Sequence, residues 1–423
     1  MRGRLLPAAA LAVLGSLLVA PAALAQSPSW AQLPGPVLSA SGSAQVWQVA
    51  ADPSNPQQLL AATSGGLFSS PNGGQTWSAT SVTRWTWAVA YAQGHAFAAT
   101  ETGGVYMSSG SGWAADNLGL ANLDVRAIAT SPSAVVLGTN SGVYVSGTGQ
   151  GWEPAGLQGV TVSAVAITGQ NPLAVLAGSD SQIAPSNLYS NGSVATSKAW
   201  QTVSGADPGG APVFAIGVGP LARGASAAPM LVGTLKGLFQ STSGGSSWQQ
   251  VNLADGALWS VNAITFDPLN PSVVYVGGDN GGSSGGGLQR SLNGGGSWAP
   301  YQQGLPATDV TGLSTEPTTP VTVLAGLWKP SGQVGIAATL VDTAAPGPVP
   351  LQASSATSPI PISPPPTPAP TAVPIPRTRS KGLPVSIPAW APPVAAAVVV
   401  VAIVATVLAM RRRRERLEAE APP

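Results

Sequence analysis

The chain has no cysteine, one histidine, and only 17 Lys and Arg with 16 Asp and Glu among its 423 residues. Without cysteine there is no disulfide framework and no thiolate metal site, so an exported domain of this size must rest on its own apolar core. With His95 as the sole histidine, a zinc centre of the usual His/Cys type is excluded, and no metal or cofactor is expected. The sparse charge is also uneven. Residues 26–345 hold seven Lys and Arg against thirteen Asp and Glu, a formal charge of −6. That is the wrong sign for a nucleic-acid backbone. The glycine-rich run 277–287 opens no helix, so it is not a phosphate cradle.

The ends of the chain differ from its middle. Arg2 and Arg4, an apolar stretch from Leu5 to Leu18 and the small residues Ala23 and Ala25 read as a signal peptide over 1–25. Residues 344–388 are rich in Pro, Ser and Thr, with Pro365-Pro366-Thr367-Pro368-Ala369-Pro370 at the centre. This composition predicts a disordered, extended stalk. Trp390 then precedes an uninterrupted apolar run, Val394 to Met410, and Arg411–Arg414 follow at once. A membrane helix over 389–410 is expected, with the basic tail 411–423 cytoplasmic and residues 26–388 outside.

Between these ends one unit recurs. An apolar strand leads to a second that ends in a small-polar-Gly turn; a Gly-aromatic strand follows, then a Gly/Ser cluster closed by tryptophan. The first strands align as Val46-Trp47-Gln48-Val49, Ala88-Val89-Ala90, Val125-Arg126-Ala127-Ile128, Val162-Ser163-Ala164-Val165, Val213-Phe214-Ala215-Ile216, Val261-Asn262-Ala263-Ile264 and Val310-Thr311-Gly312-Leu313. There are seven copies. The closing tryptophans Trp77, Trp113, Trp152, Trp200, Trp248 and Trp298 are 36 to 50 residues apart, a period that suits four-stranded propeller blades. The expected fold is therefore all-β: a seven-bladed β-propeller over 26–343, its inner strands lining the channel with their small third residue. The seventh copy has no closing tryptophan, and Trp30-Ala31-Gln32-Leu33 reads as its detached fourth strand. Pairing there closes the ring and removes its open edges.

Ser70-x-Asn72-x-Gly74-x-Thr76-Trp77 and Ser291-x-Asn293-x-Gly295-x-Ser297-Trp298, with a weaker copy at Ser241, Gly245 and Trp248, resemble the Asp-box, or bacterial neuraminidase repeat, of sialidase-type propellers. Sortilin-type and photosystem II assembly-factor propellers share that superfamily. The resemblance implies a turn device: a short polar side chain accepts backbone N–H groups and glycine takes positive φ. It does not imply a sugar site. The sialidase Arg-Ile-Pro motif is missing, so sialidase chemistry is not expected. Hydrolysis of the xyloglucanase type needs two carboxylates about 6.5–9.5 Å apart for inversion, and glycoside hydrolase action on an extracellular polysaccharide is the alternative function.

If the box turns mark one end of the ring, the opposite end carries Arg84, Trp85, Asp124, Asp255, Trp259 and Lys329, together with Asp180 and Asp279. Tryptophan beside charge is the chemistry of protein or carbohydrate recognition. The function expected is non-catalytic: a cell-surface propeller that binds an envelope protein or glycan, held by one membrane helix.

Overall fold

A computed structural model describes residues 28–36, 45–109, 112–181, 186–203, 210–254, 260–279, 286–329 and 334–352. The expected signal peptide, most of the stalk, the membrane helix and the basic tail lie outside these residues. Among the described residues no helix is long and apolar enough to cross a membrane.

Seven antiparallel sheets of four strands follow one another along the chain. Their innermost strands are Val46–Asp52, Thr86–Ala92, Val125–Ser131, Ala164–Gln170, Val213–Val218, Ser260–Asp267 and Asp309–Glu316, and they define blades 1 to 7. Blade 7 takes its outermost strand from the start of the chain. Ala31 pairs with Thr339 and Gln32 with Ala338, and Trp30 is buried with its indole N–H on the Tyr301 carbonyl at 2.9 Å. The third strand of that blade, Val334–Asp342, runs nine residues, longer than its sequence suggested.

The core is a ring of interfaces. Seven apolar clusters are each shared by two neighbouring blades. The repeat explains this. The first residues of six aligned copies, Val46, Val125, Val162, Val213, Val261 and Val310, are fully buried, and so is Thr86, two residues before the Ala88 that opens the remaining copy. On the preceding blade the valine meets a second-strand position that must be small: Gly138 opposes Val162, Gly178 opposes Val213, Gly233 opposes Val261 and Gly277 opposes Val310. At the second-to-third hairpins, buried Thr63, Thr100, Thr139 and Thr234 donate their hydroxyls to the carbonyls of Gly66, Gly104, Gly142 and Gly237. That bond satisfies a polar group which burial would otherwise penalise.

One recurrent irregularity positions the site. In six blades the ladder between the first and second strands shifts register after the first inner-strand residue, between Val46 and Gln48, Thr86 and Ala88, Val125 and Ala127, Val213 and Ala215, Val261 and Ala263, and Val310 and Gly312. The residue skipped is left out of the pairing and re-aimed, as β-bulges do. It turns toward the channel. The small third residues, expected to line the channel, instead sit at the blade interfaces, where Ala127, Ala164 and Ala263 are buried.

Residues 344–352, the expected beginning of the stalk, remain on the propeller. From blade 7 they cross the base of blades 6 and 5: Asn270 donates to the Gly347 carbonyl at 2.8 Å, Val349 N–H to Leu269 at 3.1 Å, Arg223 N–H to Pro350 at 2.8 Å and Gln352 N–H to Leu221 at 2.8 Å. Pro346, Pro348 and Pro350 contribute no donor but leave their carbonyls free to accept.

Candidate binding site at the mouth of the channel

The skipped residues converge. Trp47, Trp87, Arg126, Ser163, Phe214, Asn262 and Thr311, one from each blade in ring order, line a cavity of about 320 Å³ with Asp180 at its edge. Ser163 fills the place in blade 4 without a formal bulge, its hydroxyl donating to the Val213 carbonyl at 2.8 Å. Thr311 likewise bonds across to Val46 of the next blade. These two hydroxyls join neighbouring blades, so the cavity's free chemistry lies in its aromatic and charged members.

Three tryptophans gather on the side of blades 1 and 2. Trp47 stacks on Trp85 with ring centroids 5.8 Å apart, and Trp87 tilts against both at 5.0 and 5.1 Å. Their indole nitrogens are buried and find no hydrogen-bond partner. Leaving a buried donor unpaired costs about 1–3 kcal/mol. The cluster is therefore held by ring packing and not by polar bonds.

Arg126 adjoins this cluster, its guanidinium 5.7 Å from the Trp87 centroid. It reaches Asp124 at 3.1 Å and Asp180 at 3.4 Å, linking blades 3 and 4. All three side chains are partly exposed, where such pairs contribute about 0–1 kcal/mol each. The second oxygen of Asp124 is buried without a partner. On the far side of the channel the Asn262 amide donates to Asp279, and its carbonyl accepts from Ser260 at 2.8 Å. Burial, then the negative charge of Asp279, push the Asp309 carboxyl above its usual range.

The residues singled out from sequence fall into three groups. Trp85 and Asp124 belong to the mouth. Arg84 is exposed beyond it, 3.5 Å from the Thr102 hydroxyl, and Lys329 is exposed at the end of the second strand of blade 7. Asp255 and Trp259 lie outside the described residues. Trp47, Phe214 and Asn262 occupy the second column of the inner-strand alignment and Trp87 immediately precedes its second copy, but nothing in a single copy marks them as site residues, because the bulge that turns them inward is not written in any one copy.

At the opposite end, the box turns are built from their own side chains. The Ser70 hydroxyl accepts the Gly74 N–H at 2.8 Å, and Asn72 accepts the Thr76 N–H at 2.9 Å while its amide donates to the Thr76 hydroxyl. Ser291, Asn293, Gly295 and Ser297 repeat these bonds at 2.8–2.9 Å. Ser241, Ser243, Gly245 and Ser247 do so with serine in the Asx place. Gly74, Gly245 and Gly295 have φ of 86°, 90° and 100°. Trp248 and Trp298 are buried and bond the Gly245 and Gly295 carbonyls at 3.1 and 3.0 Å; Trp77 is half-buried with its N–H unpaired.

No protein-family model and no curated protein matches the chain in sequence. Solved structures match in shape. YCF48 from Cyanidioschyzon merolae superposes with a TM-score of 0.53 at 13% identity, over 74% of this chain and 98% of that one. The extracellular domain of a hybrid two-component system of B. thetaiotaomicron gives 0.55 at 13% identity, over 74% and 41%. A second such domain gives 0.50 at 13%, over 74% and 39%. At this identity the likeness concerns the fold: the chain is similar to YCF48 and to these extracellular domains as a seven-bladed β-propeller of four-stranded blades.

Proposed function

We propose that this is a non-catalytic, cell-surface binding propeller that recognises an extracellular protein or glycan at the mouth of its channel. One observation carries the reading. One residue from each blade, bulged out of the ladder in six of the seven, lines a single cavity, and these residues include two tryptophans, a phenylalanine and an arginine, a composition that recognition surfaces favour. The expected signal peptide and membrane helix support a place outside the cell with a single span and a cytoplasmic tail. The course of residues 344–352 agrees with this reading, because the chain leaves from the base and the mouth faces the other way.

Asp124 and Asp180 share the Arg126 guanidinium, which leaves neither free to act as an acid or base. Among the described residues at this end, a hydrolase would draw its carboxylate pair from Glu101, Asp279 and Asp309. Purified protein incubated with plant, bacterial and sialylated polysaccharides separates the readings. Retention of protein without reducing-end release, lost in Trp47→Ala/Trp87→Ala, is the expected result. Release of reducing ends that Asp309→Asn abolishes would replace the binding function with hydrolysis.

A further inference from the structure

The tryptophans at the mouth differ from those around the rest of the ring. Trp30, Trp152, Trp200, Trp248 and Trp298 each place the indole N–H on a backbone carbonyl at 2.8–3.1 Å. Trp47, Trp85 and Trp87 do not: three buried donors without an acceptor meet in one cluster, and two of their rings line the cavity. An acceptor is left over as well. Asp124 gives one oxygen to Arg126, which stands beside Trp87, and buries the other without a donor. Unsatisfied buried groups are rare in folded proteins, and several at one concave place call for a ligand that completes them.

The geometry points to the terminal unit of a neutral glycan as the ligand of this mouth, received end-on with its hydroxyls on these indole N–H groups. The inference rests on the reading of the mouth as the binding site. A hydroxyl both accepts and donates through one oxygen, so a sugar ring can serve the indole donors and the open oxygen of Asp124 together, while its apolar faces lie on the indole rings. Charge selects no ionic ligand. Arg84, Lys236 and Lys329 stand at the same end as Glu101, Asp279 and Asp309, and Arg126 is already shared by Asp124 and Asp180. A partner peptide would need a strand edge or groove to extend along, whereas this cavity is bounded by a residue from every blade and so takes the end of a chain and not its middle. As the rings pack in the ligand-free form, the three N–H groups are out of reach of water. The sugar reaches them by turning Trp87, the ring tilted against the stacked pair Trp47 and Trp85.

The test titrates the full-length chain, held in a sugar-free detergent, with cellotetraose, maltotetraose and mannotetraose as neutral probes. Tetragalacturonate and tetraglucosamine are the charged probes and N-acetyl-tetra-alanine amide the peptide, with heat and tryptophan emission followed throughout. At least one neutral tetrasaccharide binds and shifts the emission, and the charged probes and the peptide bind at least about tenfold more weakly. Labelling the reducing end of that sugar with 2-aminobenzamide changes its affinity less than about twofold. Trp47→Phe/Trp87→Phe keeps two aromatic rings but removes two donors, and it weakens the sugar by about tenfold. Trp77→Phe, which removes the unpaired donor at the base, changes it less than about twofold. Should the double variant not fold, Trp87→Phe alone carries the comparison. A phenylalanine variant that binds like the parent would show that the donors are unused and would overturn the inference. So would charged probes that bind as tightly as neutral ones, or neutral probes that give neither heat nor an emission change. Peptide binding in place of sugar, lost in Trp47→Ala/Trp87→Ala, would overturn the inference and leave the mouth standing as a protein site. Polysaccharide retention untouched by Trp47→Ala/Trp87→Ala would remove the mouth as the binding site altogether.

Discussion

Two buried acids show how the same carboxyl chemistry acts in opposite senses. Glu316, at the base end of the inner strand of blade 7, is buried, and that burial raises its pKa from 4.5 to about 7. Between these values the folded chain holds a proton that the unfolded chain has released. Stability therefore falls as pH rises through that window and is level on either side of it. Glu316→Gln is expected to remove this slope and to raise the urea midpoint at pH 8 more than at pH 4.5. Asp342 is the counter-case. Burial alone would raise it, but Arg290 at 2.6 Å, Tyr275 at 2.6 Å and Tyr301 at 2.6 Å all donate to it, and together they hold it below the ordinary aspartate range. Its contribution is present at neutral pH and is lost only as pH falls through that lowered value. Arg290 also lies 3.8 Å over the Tyr301 ring. Removing the acid strands this guanidinium and two phenols, so Asp342→Ala should cost about 3–5 kcal/mol in equilibrium denaturation.

At the scale of the strand, the blade interface depends on what is absent from one side chain. A Cβ on Gly277 would overlap Val310 of the next blade, and neither the strand nor the packed valine can withdraw without disturbing its own ladder. Gly277→Ala should cost about 1–3 kcal/mol through overpacking, although alanine is otherwise the better strand residue. A thermal melt decides it, and an unchanged midpoint would show that blades 6 and 7 can slide apart. The closing strand is a second element with a clear test. Its ladder with blade 7 is short, Ala31 and Gln32 with the Leu33 N–H on the Ala337 carbonyl at 2.9 Å, so most of its hold comes from the apolar side chains on either side, Trp30 and Leu33, both buried. Trp30→Ala should lower stability by about 3–5 kcal/mol and expose the edge of Val334–Asp342 to proteolysis.

At the scale of the whole molecule, a chain drawn out through its C-terminal end loads the base first. Residues 344–352 bond to blades 6 and 5, so pulling strains those bonds before it reaches Val334–Asp342 and the closing strand. Protein ending at residue 343 should melt several degrees below protein ending at 352, each lost net hydrogen bond contributing about 0.5–1.5 kcal/mol; identical melts would show that the segment merely rests on the surface. How much was legible beforehand follows from the physics of repetition. The number of blades, the four strands in each and the closure by Ala31–Gln32 were readable because each copy of the repeat must solve the same packing problem, so its constraint is written seven times. Glycine and threonine at the hairpins were readable for the same reason. The mouth cavity was not, because it is lined by a column in which the copies share no chemistry: Trp, Trp, Arg, Ser, Phe, Asn and Thr look like noise in an alignment of repeats. They come together only when the ring brings them to one axis, re-aimed by bulges in six of the seven blades. Likewise Asp124 and Asp180, or Asp279 and Asp309, stand 56 and 30 residues apart in the chain. The sequence by itself determined the fold, through local periodicity and small residues at interfaces; ring closure decided the mouth cavity, because only it brings the odd residue of each blade to a common point.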